Sequence, residues 1–434
     1  EYGKFHIILT FVQLTGILAD MGLYLIVLND IGDEKQDPKT IVSQHFTLRL
    51  YLNVAYLIFM AVLSLFVPYE AVIKWGIFVM SLGNFFNWYS QIFQSLFQKN
   101  FTTYYGATAE IIGRTVLLGL TVFLIYIHAS LIMLTLTVVA GNAVQFFCSW
   151  FFARKYVRFP CRLNRAYMKS VFMRGWPVAL SIWFTLIYFK ADTIILSFSQ
   201  SKYDVGIYGM PYRILETLIA LPILFMGLLM PLLRNAYSRG DIVLFKRYMQ
   251  KGFDGLSIVS LPMFFGTIVL AKPIIYLLGG KEFAASVPIL RILIAAVSIM
   301  FMTSLFAHAV ITVNAQKKMI KFYVSIAVLM LALYLIFIPM YSYWAASILT
   351  VLSEFLALTF SFFAVYKKTA FVPNLRVFSK SVISAILMAG VIFFVRNVPL
   401  FAIVPFAAVL YTAILYYIGG IKKEAIIEIL KIKD

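Results

Sequence analysis

Residues 184–199 read FTLIYFKADTIILSFS. Apart from Lys190 and Asp192 the stretch is free of charge, and it continues an apolar run that begins near 175. A half-exposed strand would alternate apolar and polar residues. This run does not, and at 1.5 Å per residue it is long enough to cross a bilayer as a helix. The two charges are the anomaly. An ionised side chain at mid-bilayer costs about 2.5–3.5 kcal/mol on insertion scales, so an ionisable residue there reads as functional by default.

The same texture fills all 434 residues. The chain is 62% hydrophobic and 13% charged, with a mean hydropathy of +0.91. Soluble domains carry about a quarter charged residues, so this chain folds in lipid. There only helices or a closed barrel satisfy every backbone group, and the long unalternating runs select helices. The expectation is an all-α polytopic membrane protein with thirteen transmembrane helices, at roughly 3–28, 48–67, 71–97, 103–127, 129–152, 175–199, 206–233, 253–279, 287–313, 319–339, 343–366, 379–396 and 399–419. The intervening loops are too short to form extramembrane domains.

The formal net charge is +19. Its distribution argues against nucleic acid, because the basic residues fall in alternate loops. Arg154, Lys155, Arg158, Arg162, Arg165, Lys169 and Arg174 lie between the fifth and sixth spans. Arg234, Arg239, Lys246, Arg247 and Lys251 follow two connections later, then Lys317, Lys318 and Lys321, then Lys367, Lys368 and Arg376. The tail holds Lys422, Lys423, Lys431 and Lys433. The opposite loops carry only scattered cases such as Lys202, Lys281 and Arg396. The positive-inside rule then puts the C-terminus in the cytoplasm of a cell-membrane protein. Thirteen spans leave residue 1 outside, so one further helix is expected upstream, fourteen in all. Cys148 and Cys161 have no companions of metal-ligand type, and no metal is expected.

A faint internal repeat accompanies this topology. Tyr2-Gly3 opens the first span and Tyr208-Gly209 the seventh, and each half later has a helix ending in a polar cluster, QSLFQKN at 94–100 and ITVNAQKK at 311–318. Such repeats are a habit of secondary transporters; chance likeness among apolar helices is the alternative.

The third span carries the densest polar signal. Asn84, Asn87, Gln91, Gln94 and Gln98 fall within an arc of roughly 80° at about 100° per residue, with Ser95 beside them and Trp88 and Tyr89 alongside. Carboxamides both donate and accept hydrogen bonds, which suits sugar hydroxyls. The stripe either lines an aqueous cavity or bonds neighbouring helices together. The ionisable residues are scattered over other spans. Glu110 and Arg114 are four apart and Arg213 and Glu216 three apart, so each pair can close on its own helix. Lys190 and Asp192, two apart, must look elsewhere. Asp20, Arg291 and His308 complete the set, His308 as a packing residue. Mixed signs leave the charge of the ligand open. No nucleophile–base constellation, phosphate-binding glycine loop or metal-ligand cluster is present, so no enzyme is expected.

Three stretches carry a resemblance: Asp192-Thr-Ile-Ile-Leu followed by Val205-Gly206-Ile207-Tyr208; the opening Glu1-Tyr2-Gly3-Lys4-Phe5; and Ser286-Val-Pro-Ile-Leu-Arg291-Ile-Leu. In order and spacing they resemble the polysaccharide transporter branch, which includes the O-antigen flippases, of the multidrug, oligosaccharidyl-lipid and polysaccharide (MOP) exporter superfamily. That resemblance implies two pseudo-symmetric six-helix bundles in a V plus a C-terminal helix pair. On this scheme 1–152 is the N-terminal bundle lacking its first helix, 153–174 a basic linker, 175–366 the C-terminal bundle, and 367–434 the extra pair and tail. It further implies translocation of undecaprenyl-pyrophosphate-linked oligosaccharide by alternating access, among membrane lipids and other polysaccharide-assembly proteins. Arg114, Lys190, Arg213 and Arg291 are then the pyrophosphate candidates. Asn84, Asn87, Gln91, Gln94 and Trp88 are the sugar candidates. Asp20, Glu110, Asp192 and Glu216 are candidates for charge pairing or for coupling to Na⁺ or H⁺, with no other cofactor. The alternatives are an ion-coupled multidrug extruder of the same superfamily and a membrane glycosyl polymerase or ligase.

Overall fold

The computed structural model describes residues 1–20, 23–32, 38–156, 164–395 and 398–420, with side chains placed for all of these except 17–19, 25, 28–29, 32, 38–39, 177–188 and 316–318. Among the expected cytoplasmic charges, Arg158, Arg162, Lys422, Lys423, Lys431 and Lys433 lie outside the described residues, as do Cys161 and Arg396.

The described chain is helical. The first expected span is described as α1 (Tyr2–Asp20) and α2 (Leu23–Gly32). There follow α3 (Pro38–Phe66), α4 (Ala71–Lys99), α5 (Thr103–Tyr126), α6 (Leu131–Ala153), α7 (Arg165–Ser199), α8 (Lys202–Ser238) and α9 (Ile242–Gly279). A short 3₁₀ turn at Lys281–Phe283 leads into α10 (Ser286–Thr312), α11 (Gln316–Thr369), α12 (Arg376–Val395) and α13 (Leu400–Tyr417). Nine of the described helices are long and apolar enough to cross a membrane. The protein is therefore a multi-pass membrane protein. α4 is not among the nine, because its amides and Lys74 hold its hydropathy down.

Helices overrun the hydropathy boundaries. α3 and α7 start ten residues before the apolar runs at 48 and 175, and α9 starts eleven before 253. Hydropathy marks only what hydrocarbon must cover; polar residues continue a helix beyond it at little cost. Asp241 caps α9 by accepting from the Leu244 amide at 2.8 Å, as an N-cap aspartate should. The tenth and eleventh spans form one element, α11, broken at Ser342, whose φ of 52° is left-handed backbone.

The chain divides into two compact units, Glu1–Phe198 and Ser199–Asp434. The first unit ends with α7. The reason is local: Val171 of α7 is buried in an apolar cluster with Leu23, Ile26 and Leu48 of α2 and α3. In the first unit α4 is central, packed against α1, α2, α3 and α6. Its Tyr89, Ile92, Phe93, Leu96 and Phe97 bury against Val27, Ile31, Ile41 and Val42, on the side of the helix roughly opposite the amides. In the second unit α10 packs against α8, α9 and α11. The pair α12–α13 lays Ala385, Met388, Ile392, Ile403 and Tyr411 against Leu261 and Leu270 of α9.

Where α5 meets α6 the contact is backbone on backbone. A Cβ on Gly113 would sit 2.7 Å from the Gly141 carbonyl oxygen, and one on Gly141 would sit 2.8 Å from Leu117. Lipid tails are as apolar as leucine, so close packing through small residues drives such pairing in membranes. Replacing Gly113 by valine is expected to prise α5 from α6 at a cost of about 1–3 kcal/mol, read as a lower thermal midpoint in detergent. Gly119→Ala is the control: a Cβ there meets nothing within 4 Å, and its midpoint should hold or rise.

Candidate functional site

The amide stripe of α4 does two jobs along its length. At one end Asn84 bonds the Tyr56 side chain, and both Asn84 and Trp88 press on Gly16 of α1, where a Cβ would approach them to 3.1 and 3.0 Å. Trp88 is buried, edge-on to Tyr56 at 5.1 Å. The Tyr56 hydroxyl also reaches Thr15 Oγ1 (3.4 Å) and Ser81 Oγ (3.5 Å). At the other end Gln98 Nε2 donates to Tyr24 Oη at 2.6 Å. Gln94 lies against α5, its amide 3.2 Å from where a Cβ on Gly106 would be. Those ends are interhelical bonding. Between them Asn87 and Gln91 are half-buried, and their side-chain amides make no hydrogen bond to a described residue. The middle of the stripe is thus a polar surface uncommitted to any of the described side chains.

The charged candidates fall into three environments. On α5, Arg114 Nη2 lies 3.6 Å from Glu110 Oε1, with side chains 65% and 46% exposed. On α8, Arg213 Nη1 donates to Glu216 Oε2 at 3.0 Å, with 54% and 23% exposed. Both are loose pairs along one helix, with accessible guanidinium groups. Lys190 and Asp192 are instead enclosed, at 4% and 2% exposure. One oxygen of Asp192 accepts from the Thr193 backbone N–H at 2.5 Å and from its hydroxyl at 3.2 Å. Arg291 is exposed, and its Nε donates to the Ile268 carbonyl at 3.0 Å. His308 Nδ1 sits 2.7 Å from the Ser304 carbonyl one turn back, a packing arrangement. Arg114 and Lys190 belong to the first unit, Arg213 and Arg291 to the second.

The third environment centres on Asp20, and its partner is absent from the sequence candidates. Arg49 of α3 is fully buried; its Nη1 donates to Asp20 Oδ1 at 2.9 Å and to the Asp20 carbonyl at 3.2 Å. Among the described residues its Nε and Nη2 find no acceptor, and the amide nitrogen and oxygen of Asn53, one turn further on and equally buried, find no partner. Hydropathy puts Arg49 at the edge of a span starting at 48, hence at the interface; because α3 starts at Pro38 it is three turns inside the helix. Glu354 of α11 is a further functional candidate with a sequence signal: it is a mid-span acid, 3% exposed, and carries the same signal as Asp192.

A second unanticipated cluster ties the start of α7 to α2 and α3. Arg174 grips Asp30 with both terminal nitrogens, at 2.7 and 2.9 Å. The Tyr167 hydroxyl donates to Asp30 Oδ2 at 2.8 Å and sits 2.9 Å from His45 Nε2. Burial pushes the Asp30 carboxyl up, but hydrogen bonds from His45, Arg174 and Tyr167 and the charge of Arg174 outweigh it, holding the group well below the usual carboxylate range. Among the described residues no three His, Cys, Asp or Glu side chains converge as metal ligands.

These features place the chain in a class. The structure titled "Lipid II flippase MurJ, inward closed conformation" is similar over 96% of this chain and 92% of that one, with a TM-score of 0.65 and 14% identity. An outward-facing multidrug resistance MATE family transporter of the MOP superfamily is similar over 83% and 87%, with a TM-score of 0.53 and 13% identity. The Vibrio cholerae MATE transporter VcmN in its bent form is similar over 84% and 86%, with a TM-score of 0.50 and 13% identity. The fold is like that of these transporters. A family model described as "Polysaccharide biosynthesis protein" matches residues 1–288, and the chain belongs to that family. No curated protein sequence matches.

Removing one partner of a buried ion pair strands the other, typically at about 3–5 kcal/mol. Asp20→Ala is expected to destabilise on that scale, seen as a large drop in thermal midpoint or loss of the folded peak in detergent. Glu110→Ala, at an exposed pair, should leave the midpoint within error.

Proposed function

We propose that this protein translocates lipid-linked oligosaccharide units, carried on an undecaprenyl-pyrophosphate type of anchor, across the cytoplasmic membrane by alternating access during surface-polysaccharide assembly. One observation carries the reading: Asn87 and Gln91 offer uncommitted amides on a helix embedded among apolar spans. An oligosaccharide cannot cross hydrocarbon without replacements for its water hydrogen bonds, and carboxamides supply both donors and acceptors. The prenyl tail can stay in lipid throughout. No bond is made or broken, so no catalytic residue is invoked. Membership of a polysaccharide-biosynthesis family and the flippase-like fold support the same reading.

On this reading Arg114 and Arg213 meet the pyrophosphate, since their guanidinium groups are accessible and only loosely paired. Lys190 and Asp192, enclosed by protein, serve the fold or ion coupling rather than direct capture. Na⁺ or H⁺ coupling through Asp192 or Glu216 belongs to the proposal. A multidrug extruder is the second reading, favoured by the fold likeness to the MATE transporters alone.

Deleting the gene should trap lipid-linked repeat units on the cytoplasmic leaflet and deplete surface glycan. Normal glycan together with new drug sensitivity would replace the flippase with the extruder. In complementation, Asn87→Leu with Gln91→Leu should cut surface glycan at least about tenfold, the loss of ~1.4 kcal/mol or more of transition-state stabilisation, at unchanged membrane abundance and thermal midpoint. Wild-type glycan from that variant would remove the amides from the site.

A further inference from the structure

Arg49 is a buried cation that uses only part of its hydrogen-bonding capacity. Its Nη1 is taken by Asp20, through the carboxylate at 2.9 Å and the carbonyl at 3.2 Å. Nε and Nη2 form a separate edge of the guanidinium, two parallel N–H donors at the spacing that grips an oxyanion or a halide. Among the described residues that edge has no acceptor, although the side chain is 0% exposed.

Asn53 lies four residues on, hence on the same face of α3 and one turn along. It too is fully buried, and its Nδ2 and Oδ1 find no partner among the described residues. Buried polar groups are normally satisfied, and leaving a charged donor bare in a low-dielectric interior is costly. Two neighbouring, fully enclosed side chains with empty polar atoms therefore point to a guest between them.

The donors set the charge of that guest. Three of the four empty atoms are donating nitrogens; the fourth, Asn53 Oδ1, is turned aside by rotation about the last side-chain bond. The countercharge is unevenly placed, since the Asp20 side chain is 14% exposed and partly hydrated while Arg49 is sealed. The inner edge of the guanidinium thus keeps a positive field. A cation is repelled there. A water accepts at most two of these bonds and leaves the field unmet, whereas an anion answers both. Because neither side chain reaches the surface, the guest has only a few atoms.

We propose that Arg49 and Asn53 of α3 hold a small monovalent anion, a halide or a planar oxyanion such as nitrate or bicarbonate, as a resident ligand of the first unit. The anion bridges the Nε–Nη2 edge to the Asn53 amide and extends along α3 the polar junction that Asp20 makes from α1. The site is separate from the exposed Arg114 and Arg213 assigned to cargo, and it does not depend on what is carried.

Thermal unfolding of the purified chain in detergent tests it, at fixed pH and ionic strength. Gluconate, too bulky for the site, is replaced stepwise by chloride, bromide, nitrate or bicarbonate. The midpoint should rise saturably, by about 3 °C or more at ~150 mM anion. A larger rise with chloride and bromide identifies a halide, and a larger rise with nitrate and bicarbonate a planar oxyanion; either supports the site. Asn53→Leu exchanges an empty amide for an apolar side chain of similar size, so the variant should fold while losing at least about half of the anion-dependent rise. Arg49→Gln combined with Asp20→Asn takes the charge from both partners and should lose all of it. Should that double variant fail to fold, Asn53→Leu decides alone. A wild-type midpoint equal in every salt overturns the site, as does an Asn53→Leu response as large as the wild type's. A crystal grown in the most stabilising anion with only water at the Nε–Nη2 edge overturns it as well.

Discussion

Hydrocarbon offers no hydrogen bonds, and the rest of the structure follows from that constraint. The backbone of the described spans is closed into helices, and polar side chains must find partners in protein or line a polar space. Arg49 shows the rule at its most severe. With no exposed atom, it is tolerable only because Asp20 neutralises it at 2.9 Å. That single pair joins the end of α1 to the third turn of α3. Nearby, Tyr56, Thr15, Ser81 and Asn84 repeat the same solution with neutral groups. The first unit is therefore held by a polar seam between α1, α3 and α4 as well as by the apolar cluster behind α4.

The same constraint decides what could be read from sequence. Long apolar runs have one meaning in lipid, so the number and order of helices were legible, as was the amide arc on α4. The arc's division of labour was not, because periodicity gives a direction around a helix but no neighbour: nothing in the spacing says that Gln98 meets Tyr24 while the Gln91 side chain bonds none of the described residues. Helix ends were misplaced for a related reason, since hydropathy reports the lipid boundary and not the end of the hydrogen-bonded ladder. That error hid Arg49 by placing it at an interface. The allegiance of α7 lay further out of reach. It is set by Asp30–Arg174 and Tyr69–Ser197, contacts spanning 144 and 128 residues, and no local pattern encodes them.

Magnitudes separate the arginines by role. An exposed ion pair is worth about 1 kcal/mol or less, whereas breaking a buried one costs about 3–5 kcal/mol. Glu110 and Glu216 therefore hold Arg114 and Arg213 in place without binding them firmly. An incoming oxyanion that offers two acceptors to the planar guanidinium fork can displace such a carboxylate at small cost and be released again. Arg49 cannot trade partners on those terms, and Arg174, gripping a buried Asp30 with two nitrogens, cannot either. A transporter must let go of what it binds, so weak local pairing is the property to look for in a cargo-binding arginine. By that criterion the mixed signs in the spans, which leave the ligand's charge open when simply summed, become informative once each pair is sorted by its exposure. The buried pairs build the bundle, and on the proposed function the exposed ones are the ones that would meet the cargo.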